Sequence, residues 1–246
     1  MTVSRTLPRV PDRKVIKKSS WIQRVLRWCV RAVGLAVAVS VLAVLGLRFV
    51  DPATSAFILQ RQYEASKKNE RLAIKRQWVP LSRISQGVQL AFIAAEDQKF
   101  PTHSGFDVEA IQDAMEDHLE GKSSRGASTL TQQVAKNLFL WSGHSYLRKA
   151  LEAYFTVLLE LFWSKARILE VHLNIAEYGN GVYGVEEASR LYLGKAAAAL
   201  SPEEAALLVV VLPSPKTRKV TAPTAKVRQR SQWVLAQMDH VTLDRL

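Results

Sequence analysis

The sequence predicts an all-α domain behind one N-terminal transmembrane helix. Three observations carry that expectation: an uncharged apolar run near the N-terminus, apolar residues recurring at three- and four-residue spacing from Leu81 onward, and no long alternating segment of the kind a sheet would need. A chain of 246 residues, 48% hydrophobic and 23% charged, fits one domain plus an anchor and is neither a disordered tail nor a polytopic membrane protein. The single cysteine, Cys29, excludes an internal disulfide framework and a Cys-rich zinc site.

The net charge of +12 is unevenly placed. Residues 1–31 hold nine Lys or Arg against one acid, Asp12, while the remaining 215 carry 25 bases and 21 acids. Bases massed just before a greasy run point to a membrane surface and away from nucleic acid, whose partners spread them over a folded face. Ala32 to Leu47 carries no charge, Arg48 interrupts, and Phe49 and Val50 follow. A helix over 32–50 would span roughly 28 Å, close to a bilayer core. Arg48 could snorkel outward, and Trp21 and Trp28 suit the inner interface. The alternative is a cleaved signal peptide, but the run exceeds a usual apolar region and Thr54-Ser55-Ala56 matches a cleavage site poorly. Nine bases before the span, against three in 51–70, predict a cytoplasmic N-terminus and an outer domain. The expected division is a basic segment 1–31, a signal anchor 32–50, a juxtamembrane connection 51–80 and a domain 81–246.

Within that domain Leu81, Ile84, Val88 and Phe92 form one helical stripe, and Ile111, Met115 and Leu119 a second with Gly121 as C-cap. Leu147, Leu151, Phe155, Leu158 and Phe162 form a third. Ser201-Pro202-Glu203-Glu204 reads as a capped helix start. Leu207 to Leu212 then reads as a buried helix or a short buried strand. Glycine- and serine-rich loops fall at 121–128 and 179–184, where sites tend to be built.

Four clusters could carry chemistry. Glu96 and Asp97 end an apolar helix, pointing about 100° apart, so only one can face a given cleft. Glu96 falls on the apolar face, where a carboxylate needs a partner or a task; an ion-paired helix end is the alternative. The second cluster, Gly121 to Asn137, fails the phosphate-loop pattern because Ala127-Ser128 follows its second glycine. Thr129 and Gln132 fit a capping box, and Thr129, Gln133 and Lys136 share a face suited to anionic oxygens, or simply to solvent. In the third, Arg148 and Glu152 are i, i+4 neighbours at the start of a helix apolar nearly all round, either a surface pair or a cleft wall. In the fourth, His172 has no partner at metal-ligand spacing and reads as structural; the sequence offers no protein metal site.

In order, these clusters closely resemble the glycosyltransferase domain that polymerises peptidoglycan from lipid II, found in class A penicillin-binding proteins and in monofunctional peptidoglycan glycosyltransferases. The matches are Glu96-Asp97 with Phe100, His103 and Gly105; Gly126-x-Ser128-Thr129-x-Thr131-Gln132-Gln133 with Lys136-Asn137; Arg148-Lys149-x-x-Glu152; Ile168-Leu169-Glu170 with Leu173-Asn174, Gly179 and Gly184; and Leu200-Ser201 through Pro213 and Pro215. No Ser-x-x-Lys or Lys-Thr-Gly occurs, and 31 residues after Pro215 are too few for a transpeptidase, so the monofunctional form is expected.

The resemblance implies a lysozyme-like fold with Glu96 as general base and Glu152 as a second essential carboxylate. It implies substrate contacts from Asp97, Phe100, His103, Ser128, Thr129, Gln133, Lys136, Asn137 and Arg148, with Lys136 and Arg148 on the leaving pyrophosphate. A divalent cation (Mg or Mn) is a candidate helper. The expected partners are lipid II, the growing glycan, the membrane and other cell-wall synthesis proteins. The expected site of action is the bacterial inner membrane, with the domain periplasmic. One departure stands out: eight residues after Lys136, relatives usually carry an arginine, and this chain has His144. A histidine titrates near neutrality and lacks the guanidinium fork, so a weaker, pH-dependent phosphate contact is expected. Leu138, Phe139, Leu140 and Trp141 form an apolar knot, expected either to dip into the outer leaflet or to pack in the core. A lytic enzyme on the same polymer and an anchored, non-enzymatic scaffold are the competing readings.

Overall fold

The computed structural model describes residues 20–122, 126, 128–212, 214, 218–244 and 246. Most of the basic N-terminal segment, Arg125 and neighbours in the 121–128 loop, and Pro213 and Pro215 of the last motif lie outside the described residues. The chain divides into two units, 1–43 and 44–246.

Helix α1 (Ser20–Leu47) contains the uncharged run, and its stretch Trp21–Leu47 is long and apolar enough to cross a membrane. It begins twelve residues before the uncharged run and stops at Leu47, so helix and expected anchor share residues 32–47. Arginine is a good helix former, which lets Arg24, Arg27 and Arg31 ride on the first turns. At the other end Arg48 and Val50 close a turn onto Val44 and Gly46.

The second unit contains α2 (Ala56–Lys67), β1 (Lys75–Arg76), α3 (Gln86–Glu96), α4 (Val108–Leu119), α5 (Leu130–Phe139) and α6 (Tyr146–Phe162). It continues with α7 (Lys165–Ile175), β2 (Glu177–Gly179), β3 (Val182–Tyr183), α8 (Val185–Leu193), α9 (Pro202–Val211) and α10 (Ala225–Met238). The helical class holds. The sheet has order β1-β3-β2 with β1 parallel to β3, and strands of two or three residues leave no alternation to read.

The 51–80 segment is not a mere connection. Its helix α2 packs on α5 and its strand β1 joins the sheet, so the domain starts well before residue 81. Only Ile58 and Ala65 of α2 are buried, too faint a stripe to announce itself in sequence. The unit's first residues are tied down as well: Trp163 Nε1 donates to the Val44 carbonyl at 2.8 Å, and Arg167 donates to the carbonyls of Leu47 and Val50, both at 2.9 Å.

The core is built where α3 packs on α9, α5 on α6 and α7, and α10 on α3 and α9. Val88 and Phe92 are fully buried as their stripe requires. Ser201 caps α9, with Glu204 closing the box, and four apolar residues of its second half are buried, which resolves the helix-or-strand alternative as helix.

Two stripes behave otherwise. No residue of α4 is buried, and Leu119 is 83% exposed. In α6 the face turned inward carries Arg148, Glu152, Thr156 and Leu159, while Leu147, Val157 and Leu161 face out. Leu158 of the expected stripe is buried too, so the inward side is mixed: its first turns carry Arg148 and Glu152 to a cleft wall, and its later turns pack Thr156, Leu158 and Leu159 inward. The apolar knot is split: Leu138 and Leu140 are buried, Phe139 stacks on Phe155 at 4.4 Å, and Trp141 is exposed.

Candidate active site

Helix α3 starts on the Ser85 cap and ends at Glu96; Asp97 then leaves the helix with φ −164° and ψ 80°. That turn separates the two adjacent carboxylates. Both border the same cavity, but the Asp97 carboxylate is turned inward, accepting from the Leu130 backbone N–H at 2.9 Å and from His103 Nε2 at 3.0 Å. His103 Nδ1 accepts from the Gly105 N–H at 3.0 Å, so the proton sits on Nε2 and is donated to Asp97. Thr129 caps α5: its hydroxyl donates to the Gly105 carbonyl at 2.7 Å and accepts from Gln132, whose side chain returns a bond to the Thr129 N–H. Phe100 is fully buried with Lys165 over its ring at 4.7 Å.

These contacts give four of the expected substrate residues packing or hydrogen-bond partners within the protein. Phe100 has no exposed surface to offer, and the polar atoms of Asp97, His103 and Thr129 are engaged in holding the start of α5 against the end of α3. They brace the site. Asn137 is half-buried and borders neither of the two cavities described next.

The first, larger cavity, about 1070 Å³, has Glu96, Gln133 and Lys136 on one wall. Gln133 Nε2 donates to Glu96 Oε2 at 2.9 Å. The second, about 420 Å³, is lined by Lys136, His144, Arg148, Lys149 and Glu152. Ser128, Gln133 and Lys136 border both, so the first turns of α5 form the partition between them. Three of the expected contacts are thus brought to one place.

Burial pushes the Glu96 carboxyl above its usual range, opposed by the Gln133 bond and by the charges of Arg230 and Lys136. Burial also lowers the Lys136 ammonium, against the pull of Glu152, while Arg148 and Lys149 push it further down. Both groups are therefore partly stripped of water, which strengthens any charge interaction they make. Glu152 is buried between two cations, with Arg148 Nη1 at 2.6 Å and Lys149 Nζ at 2.5 Å. Lys136, Arg148 and Lys149 against the one carboxylate of Glu152 make the lining of the smaller cavity predominantly basic.

His172 is buried edge-on to Phe92 and driven down to about 4 by desolvation, so it is neutral, in keeping with a structural role. Among the described residues no group of three or more His, Cys, Asp or Glu gathers as metal ligands.

The sequence reading missed the far wall of the larger cavity. Arg218, Lys226, Arg230 and Trp233 line it, and the Arg230 guanidinium lies 3.7 Å from the Trp233 ring centre. The available signal was a cation three residues before a tryptophan on one helix face, but α10 follows the last motif and carries a weak apolar stripe.

Residues 64–239 match the protein family described as Transglycosylase. The chain is 51% identical over 219 residues to a biosynthetic peptidoglycan transglycosylase of Shewanella oneidensis, covering 88% of this chain and 92% of that one. A protein of the same name from Pseudomonas fluorescens is 52% identical over 202 residues, with 82% and 84% covered. One from Xanthomonas oryzae pv. oryzae is 47% identical over 216 residues, with 87% and 88% covered.

Proposed function

The chain belongs to the transglycosylase family, and from that premise we propose that it is a peptidoglycan glycosyltransferase polymerising lipid II into β-1,4-linked glycan with release of undecaprenyl pyrophosphate. One observation carries the reading: a partly desolvated carboxylate, Glu96, and a cation cluster lie on opposite sides of a shared partition formed by Gln133 and Lys136. A glycosyl transfer from a pyrophosphate donor needs those two functions side by side.

In this reading the acceptor's GlcNAc 4-hydroxyl gives its proton to Glu96 as its oxygen bonds to the anomeric carbon of the donor's MurNAc. The bond from that carbon to the pyrophosphate breaks, and the electron pair leaves with the phosphate. Direct displacement inverts an α-linked donor to a β-linked chain, the two-carboxylate logic of inverting glycosidases with a sugar in place of water. A carboxyl raised by burial is a stronger base in its ionised form. Lys136 and Arg148 offset the charge developing on the leaving group. Glu152 holds Arg148 and Lys149 in place. The described residues around this cluster do not form a protein cage for a metal; a divalent cation (Mg or Mn) would be carried by the substrate's own pyrophosphate.

The N-terminus is cytoplasmic and the domain periplasmic in this proposal, as the massed bases before α1 favour. The outward ridge of α6, with Leu147, Val157 and Leu161, supports a shallow seat in the outer leaflet beside the route of the lipid tail. The cation cavity favours transfer over glycan lysis, which has no pyrophosphate to receive.

The test is polymerisation of labelled lipid II by the detergent-solubilised chain beside Glu96→Gln. Long lysozyme-sensitive glycan from wild type and none from the folded variant is expected. No polymer from either, or shortening of preformed glycan, overturns the reading.

A further inference from the structure

Helix α2 carries none of the motifs, yet it supplies a wall of the smaller cavity: Phe57 lies on the same lining as Lys136, Arg148 and Lys149. Ser55 caps α2, its hydroxyl accepting from the Ile58 N–H at 3.3 Å, and so sets Phe57 in the first turn. Gln60, three residues on and on the same face, ties the helix down. Its Oε1 accepts from the Ser142 N–H at 2.6 Å, and its Nε2 donates to the Ser142 hydroxyl and to Glu64 Oε1, the latter at 2.7 Å. Ser142 lines the cavity too, and α2 packs on α5, so the wall that carries Phe57 is fastened at two places.

Glu152 is taken by Arg148 and Lys149. Among the described residues the Lys136 ammonium has no carboxylate within ion-pair distance and no hydrogen-bond acceptor. It stands over the Phe57 ring, with Nζ 5.7 Å from the ring centre, inside the ~6 Å reach of a cation–π contact. Burial works against the charge on Lys136. An aromatic face offsets part of that cost, because its negative quadrupole attracts a cation. Unlike a carboxylate, it does not neutralise the ammonium, and it leaves N–H donors for an incoming anion. We propose that Phe57 is a positioning residue, whose ring keeps the Lys136 ammonium charged and held in the smaller cavity for the phosphate oxygens of the leaving group. The identity of that anion rests on the glycosyltransferase reading above; the hold of the ring on the ammonium does not.

Two measurements on the full chain in detergent micelles test this. The first needs no substrate: the Lys136 pKa is read from the pH dependence of its acetylation by trace acetic anhydride, located by mass spectrometry. The charged and titratable groups around Lys136 are Glu96 on α3, Arg148, Lys149 and Glu152 on α6, His172 on α7, and His144 on the cavity lining. On α2, Arg61 and Glu64 pair with each other. Substitution of Phe57 removes none of them, so a change there reports the ring. Phe57→Leu should lower the Lys136 pKa by about half a unit to one unit, and Phe57→Tyr should restore it. Phenylalanines bearing one, two or three fluorines in place of Phe57 keep the ring's shape and weaken its negative face, so they should lower that pKa in steps at an unchanged melting temperature. The second measurement is affinity for farnesyl pyrophosphate together with kcat/KM for lipid II. Both should fall about fivefold in Phe57→Leu, follow the same steps in the fluorinated set, and recover in Phe57→Tyr. A Lys136 pKa that ignores the fluorines overturns the proposal even where Phe57→Leu loses activity, since the ring would then only fill space. So does a graded pKa with unaltered affinity and kcat/KM in an active enzyme. Failure of the wild type to bind farnesyl pyrophosphate or polymerise lipid II, with a Lys136 pKa that still follows the ring, would uphold the contact and count against the glycosyltransferase reading alone.

Discussion

Replacing Gln133 by alanine removes the one hydrogen bond to Glu96 that the side chains of the site provide, 2.9 Å from Nε2 to Oε2. That bond favours the ionised carboxylate and opposes the burial that raises it. A hydrogen bond to a charged group contributes about 1.5–3 kcal/mol, and the lower end applies because water in the cavity that Glu96 borders can replace part of the lost bond. At about 1.4 kcal/mol for each pKa unit, the Glu96 carboxyl should rise by about one unit. A general base works only when ionised, so the acidic limb of kcat/KM against pH should move upward by about one unit in Gln133→Ala. Well above that limb, ionisation no longer limits the rate. The stability consequence has the opposite sense from an ordinary ion-paired carboxylate. A folded-state pKa above the unfolded one means that ionising Glu96 costs stability; the cost is absent below the unfolded value and full above the folded one. Gln133→Ala enlarges that cost, so the variant should lose about 1 kcal/mol more relative to wild type at pH 8 than at pH 4. The assays are initial-rate polymerisation across pH and denaturant melts at the two pH values. An acidic limb that does not move in a folded variant would refute the role given to Glu96, or the hold of Gln133 upon it.

Glu152→Gln should destabilise the domain by about 3 kcal/mol and abolish most activity, because it leaves buried Arg148 without a carboxylate; Lys149→Gln, at a half-exposed position, should cost under about 1 kcal/mol in the same thermal melts. Gly105 has φ +86°, and a Cβ there would fall 2.8 Å from both Thr156 Cγ2 and Glu160 Cγ. Gly105→Ala should therefore cost at least about 2 kcal/mol in a urea melt, from left-handed strain together with overpacking. His144→Arg should tighten donor binding, because a guanidinium fork grips phosphate where an imidazole offers a single contact; unchanged donor affinity would remove His144 from the phosphate site.

Helix caps, the helical class and the residues at the cleft were legible because each rests on chemistry local to a few positions. Ser201 with Glu204 and Thr129 with Gln132 close their boxes within one turn, and Arg148 meets Glu152 because i and i+4 share a helix face. The three-stranded sheet was not legible, since β1 pairs with β3 across more than a hundred residues and neither strand is long enough to alternate.

What the sequence determined by itself is that α6 is amphipathic and that Glu96 and Asp97 must part company. Which side of α6 faces inward, and which of the two carboxylates is drawn onto the start of α5, were decided by tertiary structure. Periodicity records only that polar and apolar residues are segregated. The direction is set by what lies opposite: for Arg148 and Glu152 the cation cavity, and for Asp97 the Leu130 N–H and His103. The same reason hid α10. Its Arg230 and Trp233 become part of the site only because the helix docks on α3 and α9, bringing them to the cavity that Glu96 borders. A partner that distant in the chain leaves no local trace for spacing to reveal.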